Sequence, residues 1–297
     1  MDASRTLEVD TSHADRRRSA HRFAGHEPPE YAIGLSAAVL AIAGGVVELD
    51  TGRVVRRIEV PTPSDEMTIL EVCLDIAAEL ASSQRIHHIG IAVPEIVDRE
   101  GAIQSCATWD WLGVDVAARL ASVAPTLVQS DVRAAAFAEA HVGAGDGLEC
   151  FVYVMIAAGI SSVIVRHGIP WAGRCGAALV LGVPPVEEVS GAQALAQVSG
   201  RTAEEALTAP DCAAAVSEAA GHLGREIARV VNLIDPDAVI VGGPLGLNPS
   251  YRRQWVEAMR ASVWYRPSSL VPVVPAQLRS DAELVGAALA TTSLLPV

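Results

Sequence analysis

The chain has 297 residues, about half of them hydrophobic and few of them aromatic, and a formal net charge of −13 at pH 7. This length and composition predict a folded α/β protein with room for two domains and argue against a disordered chain. The acidic balance disfavours nucleic acids and anionic membrane surfaces as partners, because both are bound through clustered Lys and Arg.

Residues 1–28 are polar and include three consecutive arginines with no apolar segment after them, so they are predicted to form a mobile tail rather than an export signal. The longest mostly apolar run, residues 32–47, is shorter than the roughly 20 residues that a membrane helix needs. Widely spaced cysteines without a CxC or CxxC pair predict reduced thiols and a cytoplasmic location. They are Cys73, Cys106, Cys150, Cys175 and Cys212.

The first half of the chain is predicted to begin with strands and to continue with alternating helices and strands. Residues 31–56 contain three apolar, β-branched runs with the turn signal DTG at 50–52, which predicts a meander of three strands. A helical period follows at 68–83, then a buried strand at 86–93 and a helix at 114–120.

The next stretch, residues 127–139, reads LVQSDVRAAAFAE and places an acidic residue where an extended segment becomes a helix. The first helical turn has unpaired N–H groups and the positive end of the helix dipole, and both favour an ionised Asp131. Two interpretations follow from this stretch alone. Asp131 is a helix cap, a common role for Asp and Ser, with Ser130 also available, or it is a catalytic carboxylate.

The second half repeats this plan. Its predicted elements, in order, are two strands around the AAG turn within 151–165, helices at 192–199, 202–209 and 211–234, strands at 238–241 and 271–274, and a helix that begins near Ala282. The sequence therefore predicts two similar α/β domains, residues 29–140 and 141–281, on either side of a cleft. Residues 282–297 are predicted to form a helix that returns to the first domain. Ligands are expected in the cleft.

Five segments between residues 31 and 290 resemble motifs of the ROK family (repressors, open reading frames and kinases), which belongs to the actin and hexokinase superfold. They are IAVPEIVD at 91–98, ATWDW at 107–111, QSDVRAAAFAE at 129–139, VNLIDPDAVIVGG at 231–243 and AQLRSDAELVGAAL at 276–289. The resemblance implies a ribonuclease H-like fold, a homodimer, and Mg-ATP-dependent phosphoryl transfer to a hydroxyl of a sugar or a sugar-like polyol, such as an aminosugar or a cyclitol.

The same resemblance assigns roles to individual residues. Asp131 matches the catalytic aspartate of the family, whose carboxylate accepts the proton of the attacking hydroxyl. Gly242 and Gly243 match the glycines that let the backbone approach the nucleotide at a helix N-terminus.

The phosphate motifs depart from the family pattern. In the DxGxT motif of the opening hairpin, the acidic residue that would hold magnesium-bound water is Ser36, the glycine is Ala38 and the threonine is Leu40. The GTGIG motif reads AAGIS at 157–161, so that Gly159 is the one glycine retained for nucleotide binding. Each added methyl group hinders close backbone approach to a phosphate.

The sugar and zinc motifs are altered as well. Val180 stands where the AGExGH motif has its glutamate, and the cysteine-rich segment that binds zinc is missing after Gly182, so no zinc is expected. Thr108 replaces the Asn of PNLGW, Glu95 replaces the Gly of the VPGP turn, and Ser130 replaces the Asn before the catalytic Asp. These last three positions are the candidate substrate-binding residues.

Four cationic residues lie in or beside the altered segments and form either a new anion site for a phosphorylated or acidic ligand, such as a substrate that already carries a phosphate, or part of the solvated surface. They are Arg133, Arg166, His167 and Arg174. Two functions stay open. The retained Asp131 favours a divergent sugar or polyol kinase, whereas the altered phosphate motifs favour a catalytically inactive pseudokinase that binds a ligand or a partner protein.

Overall fold

The structure is a computed structural model that describes residues 30–82, 85–178, 181 and 191–294. The predicted tail at 1–28, Val180 and the segment after Gly182 lie outside the described residues. Within the described ranges, no helix combines the length and the apolar character that a bilayer crossing requires.

The first sheet is built by the first half of the chain. Its strands are β1 (Tyr31–Ala37), β2 (Ala41–Glu48), β3 (Val54–Pro61), β4 (Ile89–Val93) and β5 (Thr126–Ser130), in the spatial order β3-β2-β1-β4-β5. The first three are antiparallel, and β4 and β5 join in parallel. The associated helices are α1 (Glu66–Ala81), α2 (Val116–Leu120) and α3 (Asp131–Val142). Strand β4 is buried throughout, which explains its unbroken apolar run.

The second sheet repeats this topology, which confirms the predicted pair of similar α/β halves. Its strands are β6 (Cys150–Ile156), β7 (Ile160–Arg166), β8 (Ile169–Pro170), β9 (Ala238–Gly242) and β10 (Val273–Pro275), in the order β10-β9-β6-β7-β8. The associated helices are α4 (Ala192–Ser199), α5 (Ala203–Thr208), α6 (Ala213–Ile234), α7 (Pro244–Leu247) and α8 (Pro249–Ser262). Strands β6, β9 and β10 thus take the places of β1, β4 and β5.

Helix α8 has no counterpart among the elements predicted from the sequence. Its buried side chains are Tyr251, Trp255 and Met259, spaced four residues apart among polar and charged residues. These three side chains belong to the same apolar cluster as the buried face of α6. A narrow stripe of this kind forms a stable helix because of tertiary packing rather than intrinsic propensity.

The last helix, α9 (Ala282–Leu294), follows the second sheet in sequence but packs on the first. It approaches β1 and β4 through Gly34 and Gly90, and α3 through its own Gly286. A Cβ atom at any of these three glycines would overlap a backbone carbonyl across the contact. Helix α3 also packs against the second sheet, where Val132 shares an apolar cluster with Tyr153. The α3–α9 pair therefore links the two sheets.

Candidate active site

Asp131 is the first residue of α3 and directly follows β5. Ser130 occupies the N-cap position, and its side chain makes no capping hydrogen bond. The Oδ1 atom of Asp131 accepts a hydrogen bond from the N–H of Val132 at 2.6 Å, and the residue is partly exposed. A carboxylate at this junction can meet a ligand in the cleft, because ligands of α/β sheets bind beyond the carboxyl ends of the strands.

A second carboxylate, which the sequence analysis did not predict, lies near Asp131. Glu283 is in the first turn of α9, and its carboxylate accepts a hydrogen bond from the hydroxyl of Ser36 in β1. Asp131 and Glu283 each precede by three residues the point where α3 and α9 touch, at Ala134 and Gly286. Residues three apart share a helix face. The close helix contact therefore brings the two carboxylates together.

The environment of this pair disfavours two full negative charges. Removal from water and then the charge of Glu283 raise the pKa of Asp131 to about 8, against the lowering effect of the Val132 N–H. Removal from water also raises the pKa of Glu283, which the hydrogen bond from Ser36 lowers. Neighbouring carboxylates of this kind share a proton or attract a cation.

The donor set fits a magnesium ion. Magnesium prefers oxygen ligands and is usually held by one or two carboxylates together with water and substrate phosphates. Asp131 and Glu283 supply that number of carboxylates. No cluster of three or more His, Cys, Asp or Glu side chains suited to a metal occurs in the described part of the chain.

Glu95, a predicted substrate-binding residue, is buried just beyond β4 and fixes the loop 105–109. Its carboxylate accepts hydrogen bonds from the Ser105 hydroxyl and from the N–H groups of Ala107 at 2.9 Å, Thr108 at 2.6 Å and Trp109 at 2.7 Å. A carboxylate offers about four lone-pair positions, and four donors occupy them here. In this structure Glu95 therefore shapes the loop that carries Thr108.

Replacing Glu95 with alanine should lower the free energy of unfolding by about 3 kcal/mol, because three N–H groups lose a charged acceptor. Chemical denaturation measures this change. Glu100→Ala removes an exposed carboxylate nearby in sequence and is the matched control, expected to change stability by less than about 0.5 kcal/mol. Equal stability of the two variants would show that water replaces the Glu95 carboxylate at no cost.

The other two predicted substrate-binding residues differ in their hydrogen bonding. Thr108 is partly exposed, and its hydroxyl donates to the Pro94 carbonyl at 3.1 Å. Ser130 is 2% exposed, and its hydroxyl has no hydrogen-bond partner among the described residues. The Gln129 amide nitrogen and the Trp109 indole nitrogen are buried and equally unpaired there. Since buried polar groups are normally paired, these atoms leave hydrogen-bonding capacity for a polar ligand.

The candidate nucleotide-binding glycines lie at the ends of strands in the second sheet. Gly159 is in the turn between β6 and β7. A Cβ atom on Gly242 would overlap the Tyr153 hydroxyl, and Gly243 has a φ of +79° and lies against the Ile156 carbonyl. Packing and backbone conformation thus already require both glycines of the pair, and their contact with a nucleotide stays a prediction.

The turn between β1 and β2, which corresponds to the first phosphate motif, presents an apolar surface. Leu40 is 83% exposed at this turn. The Ala38 carbonyl accepts a hydrogen bond from the Thr62 hydroxyl at 2.7 Å. The hairpin is therefore retained, but the side chain at its tip cannot donate a hydrogen bond to a phosphate oxygen.

The four cationic residues considered above for an anion site occupy different environments. Arg133 is buried, and its Nη2 donates to the Val97 carbonyl at 2.6 Å, whereas Arg174 is exposed. Arg166 and His167 line a pocket of about 930 Å³ beside β7 and β8. The same wall carries the carboxylates of Glu149, Asp235 and Asp237. This mixture of charges does not select an anion.

Comparison with known proteins places these observations in a family. The ROK family model matches residues 33–203 and 186–293. The polyphosphate glucokinase of Mycobacterium tuberculosis is 27% identical over 282 residues, which cover 91% of this chain and 94% of that protein.

Solved structures share the fold. The ROK family glucokinase from Streptomyces griseus, in complex with glucose and AMPPNP, superposes with a TM-score of 0.77 at 22% identity and covers 87% of this chain and 98% of its own. The inorganic polyphosphate/ATP-glucomannokinase from Arthrobacter sp. strain KM superposes with a TM-score of 0.67 at 25% identity, covering 90% and 100%.

Proposed function

The chain belongs to the ROK family, and we propose that it is a divergent carbohydrate kinase that transfers a phosphoryl group to a hydroxyl of a sugar or a sugar-like polyol, with Asp131 as the general base. The observation that supports this role is the partly exposed carboxylate at the junction of β5 and α3, next to Glu283. A carboxylate with a raised pKa is a stronger base than an exposed aspartate, and a positioned base contributes typically 10²–10⁴ in rate.

In the proposed reaction, Asp131 accepts the proton of the sugar hydroxyl as the hydroxyl oxygen attacks the terminal phosphorus atom of the donor. The bond from that phosphorus to the bridging oxygen breaks, and ADP or the shortened polyphosphate leaves. The unpaired hydroxyl of Ser130 and the loop that carries Thr108 orient the sugar. Asp131 and Glu283 would hold a magnesium ion, which would supply positive charge to the phosphate oxygens. The turn at Gly159 borders the phosphoryl donor, as do Gly242 and Gly243.

We propose ATP as the phosphoryl donor, with inorganic polyphosphate as the second donor to test. Both donors appear in the name of the Arthrobacter relative, and polyphosphate appears in that of the mycobacterial relative. The exposed Leu40 at the first hairpin lacks the hydroxyl that would bind phosphate, so backbone N–H groups and magnesium would have to hold either donor.

The test is direct. Purified protein with magnesium and either donor should convert one member of a panel of glucose, mannose, aminosugars and inositols into a phosphomonoester, which ³¹P NMR detects. Asp131→Asn should form this product at least about 100-fold more slowly. A sugar that binds in calorimetry but is phosphorylated with neither donor would instead support the second candidate, a catalytically inactive ligand-binding or protein-interaction module. That alternative is favoured by the altered residues Ser36, Ala38 and Leu40.

The family resemblance and the cysteine pattern extend the proposal to a cytoplasmic homodimer. Light scattering coupled to size-exclusion chromatography tests the dimer, since a mass near twice that of the chain is expected.

A further inference from the structure

We propose that Glu283 supplies the carboxylate that β1 lacks at Ser36 and that it holds the hydrated magnesium ion of the phosphoryl donor. This inference depends on the proposed kinase function and names a residue that the family motifs do not. The resemblance implies an acidic side chain at position 36, and a serine there cannot carry negative charge. The structure has a carboxylate at this place from a different element, 247 residues away in sequence.

The hydrogen bond between the two residues locates the carboxylate. The Ser36 hydroxyl donates to Oε2 of Glu283, so the glutamate lies directly against the position of the missing acid. Ser36 itself is 4% exposed, whereas Glu283 is partly exposed. The Oε1 atom of Glu283 has no hydrogen-bond partner in the described residues and is available to a ligand in the cleft.

The sheet register shows that Ser36 lies on the face that α3 and α9 cover. Ser36 pairs with Ala92, and Ala92 pairs with Gln129, so the three side chains form a row on one face of the sheet. Ala92 packs against Ala134 of α3 and Ala287 of α9. The buried, unpaired amide nitrogen of Gln129 is therefore on the same face as Ser36. The Oε1 atom of Glu283 and this amide nitrogen are thus two polar atoms that have no hydrogen-bond partner among the described residues.

The charges around Asp131 and Glu283 also favour the binding of a cation. The other charged groups nearby are also acids: Glu95 acts on Asp131, and Glu139 acts on Tyr153, as do Asp131 and Glu283 themselves. Neither Asp131 nor Glu283 has an ion-pair partner in the described residues. Two neighbouring carboxylates that are largely, though not completely, withdrawn from water and have no compensating charge are costly. A divalent cation bound to this pair from the cleft would offset the free-energy cost of the two negative charges.

The experiment measures how much a divalent ion tightens donor binding. Calorimetry gives the affinity of the wild-type protein for AMPPNP and for inorganic polyphosphate, first in EDTA and then with Mn²⁺. In Glu283→Gln, which keeps the shape of the side chain, the tightening by Mn²⁺ should fall at least about tenfold, whereas the affinity measured in EDTA should not fall, because a negative charge next to the phosphates has been removed. Glu257→Gln, an exposed carboxylate of α8, is the matched control and should behave like wild type.

Returning the carboxylate to β1 provides the rescue. Ser36→Asp combined with Glu283→Ala should recover most of the tightening of donor binding by Mn²⁺. If this double variant does not fold, Glu283→Asp, which keeps the carboxylate, is measured instead and should recover most of the tightening. Full tightening in Glu283→Gln would overturn the inference and leave the kinase proposal intact. Failure of the wild-type protein to bind either donor with Mn²⁺ would overturn both.

Discussion

Replacement of Asp131 by asparagine should lower kcat by at least about 100-fold, because a general base contributes typically 10²–10⁴ in rate. The amide oxygen of asparagine can still accept the Val132 N–H, but the amide cannot take up a proton. Steady-state kinetics with the identified sugar and donor measure the change. Because substrate contacts are retained, KM should change much less than kcat.

The stability of this variant separates catalysis from a structural role. Removal from water and Glu283 raise the pKa of Asp131 to about 8, above its value in the unfolded chain. The stability that depends on this group is therefore fully present at low pH and is lost as the pH rises toward the folded pKa. Asparagine does not ionise, so the variant does not lose this stability. Between pH 5 and about pH 8, its melting temperature should exceed that of wild type by a margin that grows with pH, as calorimetry can measure.

A true helix cap provides the control. Asp115 is the N-cap of α2 and accepts the N–H of Ala118 at 2.8 Å. Asp115→Ala should cost about 1 kcal/mol and leave turnover unchanged. If Asp131→Asn also melted lower at every pH and kept its turnover, Asp131 would be a structural residue of the β5–α3 junction.

The sequence predicted the repeated strand plan and the position of Asp131 because both depend on local patterns. Strands buried on both faces read as apolar runs, and the change from an extended to a helical period locates α3. The helix predicted at 192–199 coincides with α4, because its helical period is also a local pattern. Bounds elsewhere shifted by a few residues, as at β4, which begins at Ile89 rather than at residue 86 because His87 and His88 separate Ile86 from the apolar strand.

The part of the site that the sequence did not predict depends on contacts between distant segments. Glu283 is one acidic residue within a helical pattern, and nothing in its neighbourhood distinguishes it from a surface carboxylate. Two signals together would have indicated it: the missing acid at Ser36, and a carboxylate that opens a helix continuing with the small residues at 286–288. The role of Glu95 in fixing the loop 105–109 could not be predicted either, because its partners in that loop are mainly backbone N–H groups, which side-chain patterns do not reveal.

Replacement of Gly286 by alanine should lower the free energy of unfolding by about 3 kcal/mol, because the new Cβ would overlap the Ala134 carbonyl and force α9 away from α3. The expected sign is opposite to helix propensity, which favours alanine over glycine by about 1 kcal/mol in a helix interior. Gly221→Ala in α6 is the matched control. Its Cβ would meet the flexible Arg225 side chain at 3.2 Å, so this variant should be unchanged or more stable.

The same substitution tests why the two carboxylates meet. Gly286 and Ala134 define the contact that lies three residues beyond Glu283 and Asp131, so separation of the helices should move one carboxylate away from the other. Gly286→Ala should therefore lose both stability and turnover, whereas Asp131→Asn loses turnover alone. A Gly286→Ala protein with wild-type stability and full turnover would show that the helix contact tolerates a methyl group, and close packing of α3 and α9 would no longer explain the position of Glu283.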